Sequence, residues 1–378
     1  MFYLSTFLII TIFFIFIFLF LLPGNISKDI IFKLWYLFII GLAVFSFFAE
    51  PSVNDDLFSH YYDIDQIRNG YGSKKSSLKG ITIIFWLISR QPYNGLLPFL
   101  SVLIFGIVLA EIAKEYYSHN SYNSKALMIY FMMALSCNGI FYIVSGIRCS
   151  MVAVLWTLSY VKFYQKNKIK EFIIAELLLG LLHYIAFLFL IIHILYLILM
   201  KINKRRVWIS CIIIFAIFIF VTNNSEFFAN ILKLLGSNSI GSLGDKWTTY
   251  TTEYVGGMEI ENAFKLISVI ILMFCYFYPA TNKNETEKFT LYLAFIYIST
   301  RIGFVIIAER LPYLIGVISL PLVDNCIKGY KKGRIFIEYL LFMFFTLFLL
   351  YSFHTMFSHI MFNGYDIKKI LNQFFTVW

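Results

Sequence analysis

Three arginines stand where a cation is expensive. Lysine occurs 23 times and arginine eight, and the lysines mostly decorate loops, whereas Arg148, Arg301 and Arg310 lie in apolar surroundings. Placing a charge inside a membrane span costs several kcal/mol. The planar guanidinium fork binds phosphate or carboxylate bidentately and keeps its charge throughout. Each arginine also has a plainer reading. Arg148, in Ser145-Gly146-Ile147-Arg148, fits an interfacial anchor for lipid phosphates. Arg301, about 20 Å of helix past Lys288, is too deep for an anchor and fits a structural partner of another buried polar group. Arg310 follows Glu309 and fits a local ion pair. The neighbouring Pro312 predicts a helix break here, and broken ends line cavities in transporters and enzymes.

Other candidates lie elsewhere in the chain. His183, between Leu182 and Tyr184, is either a proton acceptor or a satisfied core histidine. His193 has no carboxylate near by, and His354 and His359, five apart, make a poor metal pair. Asp55, Asp56, Asp63 and Asp65 crowd one polar segment with Tyr61 and Tyr62 between them. Carboxylates accept hydrogen bonds from sugar hydroxyls and tyrosines stack on sugar rings. Asp63-Ile64-Asp65 has the short pattern with which many glycosyltransferases hold a metal and a sugar phosphate, and a solvated acidic face is the plainer reading. Acids, one histidine and fork-shaped cations together suit a lipid-linked sugar pyrophosphate.

Several chemistries lack their residues. No GxxxxGK[ST] or GxGxxG loop is present to cradle a nucleotide, and no HExxH or GxSxG motif supports zinc-protease or serine-hydrolase chemistry. The five cysteines form no CxxC pair, so neither a disulfide framework nor a zinc site is expected.

The elements that position these residues must lie in a membrane. Of 378 residues, 60% are hydrophobic, 20% aromatic and only 14% charged, against about 25% charged in a soluble domain. The continuous apolar runs do not alternate as barrel strands do, so they predict helices. Candidate spans are 2–22, 34–50, 95–113, 126–142, 148–164, 171–183, 184–200, 207–223, 262–279, 288–307, 312–326 and 335–352. The fold class expected is therefore an all-α polytopic membrane protein of about twelve spans (range 10–13), a single domain over 1–378. Met1 opens directly into an apolar run with no basic leader region, so a retained first span is expected.

Charge sets the orientation. With the N-terminus outside, more than half of the 31 basic residues fall in short inner loops, as the positive-inside rule requires. The net charge of +10 is then met by anionic lipid rather than nucleic acid. Residues 171–200, flanked by basic clusters, predict a hairpin or re-entrant pair turning near His183. Ile81–Ser89 is too short to span and predicts an interfacial helix. Two larger polar segments, 51–80 and 224–261, face outside. No internal repeat is visible. Arg148, His183, Arg310 and the acidic segment then fall toward the outer leaflet.

At these residues the chain resembles the EpsG family, bacterial membrane proteins of exopolysaccharide and capsule synthesis related to Wzy-type polymerases. The resemblance rests on Ser145-Gly146-Ile147-Arg148, the span ending at Phe163-Tyr164, the lysine-rich stretch after it, and Leu181-Leu182-His183. The segment holding Asp55, Asp56, Tyr61 and Tyr62 is similar to the family's acidic loop, and Arg310 with Tyr313 to its late Arg and Tyr. Cys149 stands where the family often has Gln, and Val53-Asn54-Asp55 where it has Gly-Thr-Asp. The resemblance implies a polymerase of capsule, exopolysaccharide or O-antigen in the bacterial cytoplasmic (inner) membrane. It implies a substrate that is an undecaprenyl-pyrophosphate-linked oligosaccharide, neither metal nor cofactor, and a chain-length regulator and a flippase of the same pathway as partners. Arg148 and Arg310 would meet the charge of the leaving pyrophosphate, Arg301 would support them, and His183 or an acidic-segment Asp would take the proton. Two other functions fit the composition: a multispan glycosyltransferase using a polyprenyl-phosphate sugar, with the acids central, and a lipid-linked oligosaccharide flippase.

Overall fold

The computed structural model describes residues 2–22, 26–53, 55–71, 79–118, 123–145, 147–202, 259–277, 283–301, 305–329 and 334–362. The expected span 207–223, Gly146 and nearly all of the segment 224–261 lie outside them. The described chain is mostly helical and groups into two compact units, Met1–Phe189 with Gly316–Trp378, and Leu190–Ile315.

The first unit begins with α1 (Phe2–Leu21) and α2 (Lys28–Ser46). In α1, Ile12, Phe16 and Phe20 are buried while Ile10, Phe14 and Phe18 on the other side are exposed. A helix apolar all round suits a lipid boundary, where no water competes for the backbone. Ser27 caps α2 by accepting from the Asp29 amide. Trp35 donates its indole N–H to the Gly106 carbonyl (2.8 Å) on α5 (Leu96–Ser118), and Phe131 of α6 (Ser124–Asn138) stacks on the same ring at 4.1 Å. The Ile39 side chain occupies the space where a β-carbon on Gly106 would sit, so a small residue lets α2 and α5 close together.

Between α2 and α5 the polar segment is more ordered than an outer loop. It holds β1 (Ala49–Pro51), α3 (Asp56–Arg68) and α4 (Lys79–Ser89). As expected, α4 is a short helix with a divided surface: Ile81, Phe85 and Ile88 are buried, and Ile83, Trp86 and Leu87 are exposed. Arg90 lies over the Trp86 ring.

The remaining helices are α7 (Ile140–Val144), α8 (Arg148–Ser159) running into a π-helical turn (Tyr160–Tyr164), α9 (Ile169–Leu182), α10 (Ile185–Ile202), α11 (Glu259–Phe277), α12 (Glu285–Thr300), α13 (Val305–Ile318), α14 (Leu320–Gly329) and α15 (Arg334–His359). The chain breaks at His183, where the sequence places a turn, and α9 packs on α8 and α4. β2 (Ile360–Phe362) pairs antiparallel with β1, Glu50 opposite Met361. The fold is therefore not wholly helical, because two extended backbone segments at helix ends satisfy each other's hydrogen bonds. Ion pairs join other helix ends of this unit, Lys125 with Glu338 (3.3 Å) and Lys166 with Glu115 (2.7 Å).

Four of the described helices are long and apolar enough to cross a membrane, those over Lys28–Ser46, Leu96–Ser118, Ile260–Phe277 and Ile335–Ser358. A fifth span results if the bent pair Ala308–Ile318 and Leu320–Gly329 is taken together. Breaks at Gly139 and His183 and the π-helical turn divide other apolar runs into pieces shorter than about 20 residues.

The second unit packs His193 and Tyr196 against Phe289, both at 5.1 Å. The amino end of α12 carries a capping box, with Asn284 and Glu287 each bonding the other's backbone amide.

Candidate functional site

Arg148 is the first residue of α8 and is half-buried. Among the described residues it makes no hydrogen bond or ion pair. Its position compounds the charge. A helix carries partial positive charge at its amino end, where a cation is disfavoured and an anion welcome. Guanidinium and helix dipole therefore add their fields at one point, an arrangement that stabilises a bound phosphate better than it stabilises the protein alone.

His183 lies beside this point. Its Nε2 is 4.0 Å from the Cys149 sulfur, one residue along α8, and its Nδ1 accepts from the Ile185 amide at 3.2 Å. Accepting at Nδ1 selects the tautomer with the proton on Nε2. The imidazole is buried and stacks with Tyr184 at 4.3 Å. In this tautomer Nε2 is a hydrogen-bond donor.

The acidic segment reaches the same neighbourhood. The Leu57 amide, in the first turn of α3, donates to Ser145 Oγ at 3.4 Å, three residues before Arg148. The acids are not equivalent. Asp55 precedes α3 and accepts from the Ser52 amide at 3.0 Å, Asp56 is exposed, and Asp63 is buried. Asp65 pairs with Arg68 and accepts from Asn94 at 3.0 Å. Two residues apart on a helix, Asp63 and Asp65 point about 200° apart, so the DxD pattern does not form one cation-holding pair. The tyrosines divide likewise. The Tyr61 hydroxyl donates to the Ala49 carbonyl at 3.1 Å and ties α3 to β1; burial, and then the Glu50 carboxylate, push its pKa up. Tyr62 is exposed.

The other predicted residues belong to the second unit. Arg301 does not lie within a continuous span over 288–307: α12 ends at Thr300, and Arg301 is its C-cap. A cation there complements the negative end of the helix, a sufficient structural reason for it. Pro312 does not break its helix either; it sits within α13, which continues to Ile318. Neighbouring groups in a membrane protein re-satisfy the freed carbonyl. Arg310 donates to the Tyr313 hydroxyl at 3.3 Å, and Lys265 of α11 lies 5.3 Å from the centre of the Tyr313 ring.

Reading the sequence missed several buried acids, Glu176, Glu261, Glu287, Asp324 and Glu338. Glu176 on α9 is fully buried, accepts from Ser159 Oγ at 2.6 Å, and its Oε2 has no hydrogen-bond partner among the described residues. A glutamate within the run Ala175–Leu182 was the available signal. Trp156 and Phe172, ring to ring at 5.9 Å, share this helix interface. Glu176→Gln keeps shape and acceptor and is expected to leave thermal unfolding in detergent nearly unchanged. Glu176→Ala opens a cavity and is expected to cost about 2–3 kcal/mol, seen as a lower midpoint.

A shallow apolar crevice among Phe13, Phe16, Trp35, Phe131 and Leu349 offers no reactive group. Among the described residues no three His, Cys, Asp or Glu side chains gather as metal ligands.

Long apolar helices mark an integral membrane protein, and in its first unit a cation at a helix amino end has a histidine beside it. The chain belongs to the EpsG family, whose model matches residues 96–366. That membership carries a polymerase-type role in polysaccharide biosynthesis. The match includes Arg148, His183, Arg301, Arg310 and Tyr313, while Asp55, Asp56, Tyr61 and Tyr62 precede it. No curated protein and no solved structure matches the chain.

Proposed function

We propose that this protein joins lipid-pyrophosphate-linked oligosaccharide repeats into polymer at the outer leaflet of the bacterial cytoplasmic membrane, threading it about twelve times with the N-terminus outside. The lipid is a polyprenol of the undecaprenyl type, and the product is capsule, exopolysaccharide or O-antigen. A hydroxyl of one repeat attacks the anomeric carbon of the other glycan. The new glycosidic C–O bond forms as the C–O bond to pyrophosphate breaks, and the bonding pair leaves with the lipid pyrophosphate. Charge grows on the pyrophosphate oxygens, so the stabilising group must be a cation already in place. Arg148, at the amino end of α8 with no hydrogen bond or ion pair among the described residues, is the observation that carries this reading. His183, bearing its proton on Nε2, donates a hydrogen bond to the departing oxygen and keeps the proton. Asp56, exposed in the first turn of α3, takes the proton of the attacking hydroxyl. The protein's own side chains supply each of these steps.

Deleting the gene and weighing the lipid-linked saccharides tests the proposal. Complete single repeats should accumulate while long polymer disappears. Repeats lacking one sugar would instead identify a glycosyltransferase, and polymer of normal length would remove both readings.

A further inference from the structure

The two faces of α4 meet different surroundings. Ile81, Phe85 and Ile88 are buried. A β-carbon on Gly80 would lie 2.7 Å from the Leu181 carbonyl, so this side of the helix is closed against α9. Ile83, Trp86 and Leu87 share the other face at helical spacing and are 59%, 47% and 56% exposed. Arg90, one residue past the helix, continues that stripe. It is exposed, its guanidinium carbon lies 4.6 Å from the centre of the Trp86 ring, and it makes no ion pair among the described residues. The neighbouring arginine is used differently. Arg68 of α3 donates through Nε to the Ser89 carbonyl at 3.3 Å and through Nη2 to the Gln91 carbonyl at 2.7 Å, the carbonyls on either side of Arg90. Asp65 meets the charge of Arg68 within the protein.

The helices before and after this segment, α2 and α5, are long and apolar enough to cross a membrane. The eleven residues of α4 make a helix about 16 Å long, against a hydrocarbon core about 30 Å thick. Length alone makes α4 interfacial; the stripe and its arginine indicate what it touches. The exposed face runs from aliphatic side chains through an indole to a guanidinium. A membrane surface presents the matching order: acyl chains, then the layer in which an indole settles, then phosphates for a cation. We propose that Ile83, Trp86 and Leu87 lie among the acyl chains at the membrane surface with Arg90 on a phospholipid phosphate, and that α4 thereby fixes the depth of α3. Arg68 transmits the depth, because it grips the backbone on both sides of the lipid-bound residue. The acids of α3 then stand near the level of the lipid phosphates. No part of this requires the polymerase reading.

A bimane label attached at Ile83→Cys tests the lipid contact, with the full chain in vesicles of phosphatidylcholine and phosphatidylglycerol. The parent chain treated alike is the blank, since its described cysteines are buried. Bromine on the lipid acyl chains should quench the label, and iodide in the water should not. Quenching by iodide would place the face in water, and quenching by neither would place it under protein, a second copy or another partner; either result overturns the proposal. Trp86→Ser with Arg90→Glu changes two exposed residues and should leave the thermal midpoint unchanged. In that variant bromine quenching at position 83 should fall sharply, and a label at Tyr62→Cys on α3 should open to iodide. No change at position 83 overturns the lipid contact, and no change at position 62 overturns the setting of depth. The labels are read without substrate, so a gene deletion that leaves polymer intact removes the polymerase reading and not this one.

Discussion

Arg148→Lys is expected to reduce polymer formation about a hundredfold while the protein stays at its normal level in the membrane. The figure is that of removing one preorganised donor from a developing anion. Charge is conserved in this change, so a role confined to net charge predicts almost no effect. The fork is not conserved: lysine offers a point charge where arginine offers two parallel N–H bonds to one phosphate. The structure sharpens the expectation, because Arg148 has no carboxylate among the described residues and sits at the positive end of α8. Removing it should not unfold the protein and could even relieve repulsion. The readout is the chain-length distribution of extracted glycan beside an immunoblot of membranes. Normal chain lengths in Arg148→Lys would take the phosphate clamp away from this residue.

Gly95→Ala should lower stability by about 3 kcal/mol. Gly95 is buried just before α5, and a β-carbon there would overlap the Phe47 backbone carbonyl at the end of α2. A flexible side chain yields to such an intrusion; a carbonyl at a helix end must take its helix along. Asn94, the residue before it, bonds Arg68 and Asp65 (2.7 and 3.0 Å), so the shift would also loosen α3. Gly70→Ala is the matched control. Gly70 has a φ of +85° with open space around it, so alanine there meets only backbone strain of about 1 kcal/mol. Thermal unfolding in detergent should rank Gly95→Ala well below Gly70→Ala. Equal midpoints would show that α2 and α5 do not meet at this close approach.

The apolar runs were legible because the membrane enforces them. The run over 95–113 became α5, that over 335–352 became most of α15, and the turn near His183 falls midway along an apolar stretch that basic clusters flank at both ends. Helix ends were less so. Pro312 reads as a stop by local rules, yet α13 passes through it, since neighbours in a packed bundle replace the missing bond. Arg301 reads as deep in a span, and the end of α12 at Thr300 is not marked by any Gly or Pro beside it. Side-chain partners were the least accessible. Residue types place Asp63 and Asp65 together as a pair, whereas helical periodicity sends one inward and commits the other to Arg68. Glu176 and Ser159, and Lys265 with Tyr313, are pairings across separate helices. No local pattern encodes which face of one helix meets which face of another. The tautomer of His183 likewise turns on a backbone amide, that of Ile185, rather than on any side chain the sequence pairs with it.

The small ladder of β1 and β2 sets an order on biosynthesis. Residues 49–51 leave the ribosome early, but their partners 360–362 follow some three hundred residues later. Until then the backbone of Glu50 has no strand to bind, and Tyr61, which reaches the Ala49 carbonyl, holds α3 to an unfinished edge. The acidic segment therefore takes its final position last, after the helix through His359 has been inserted. A nascent chain carries Ser145 well before β1 finds its partner strand, so the ladder that anchors α3 through Tyr61 closes only when synthesis is nearly complete.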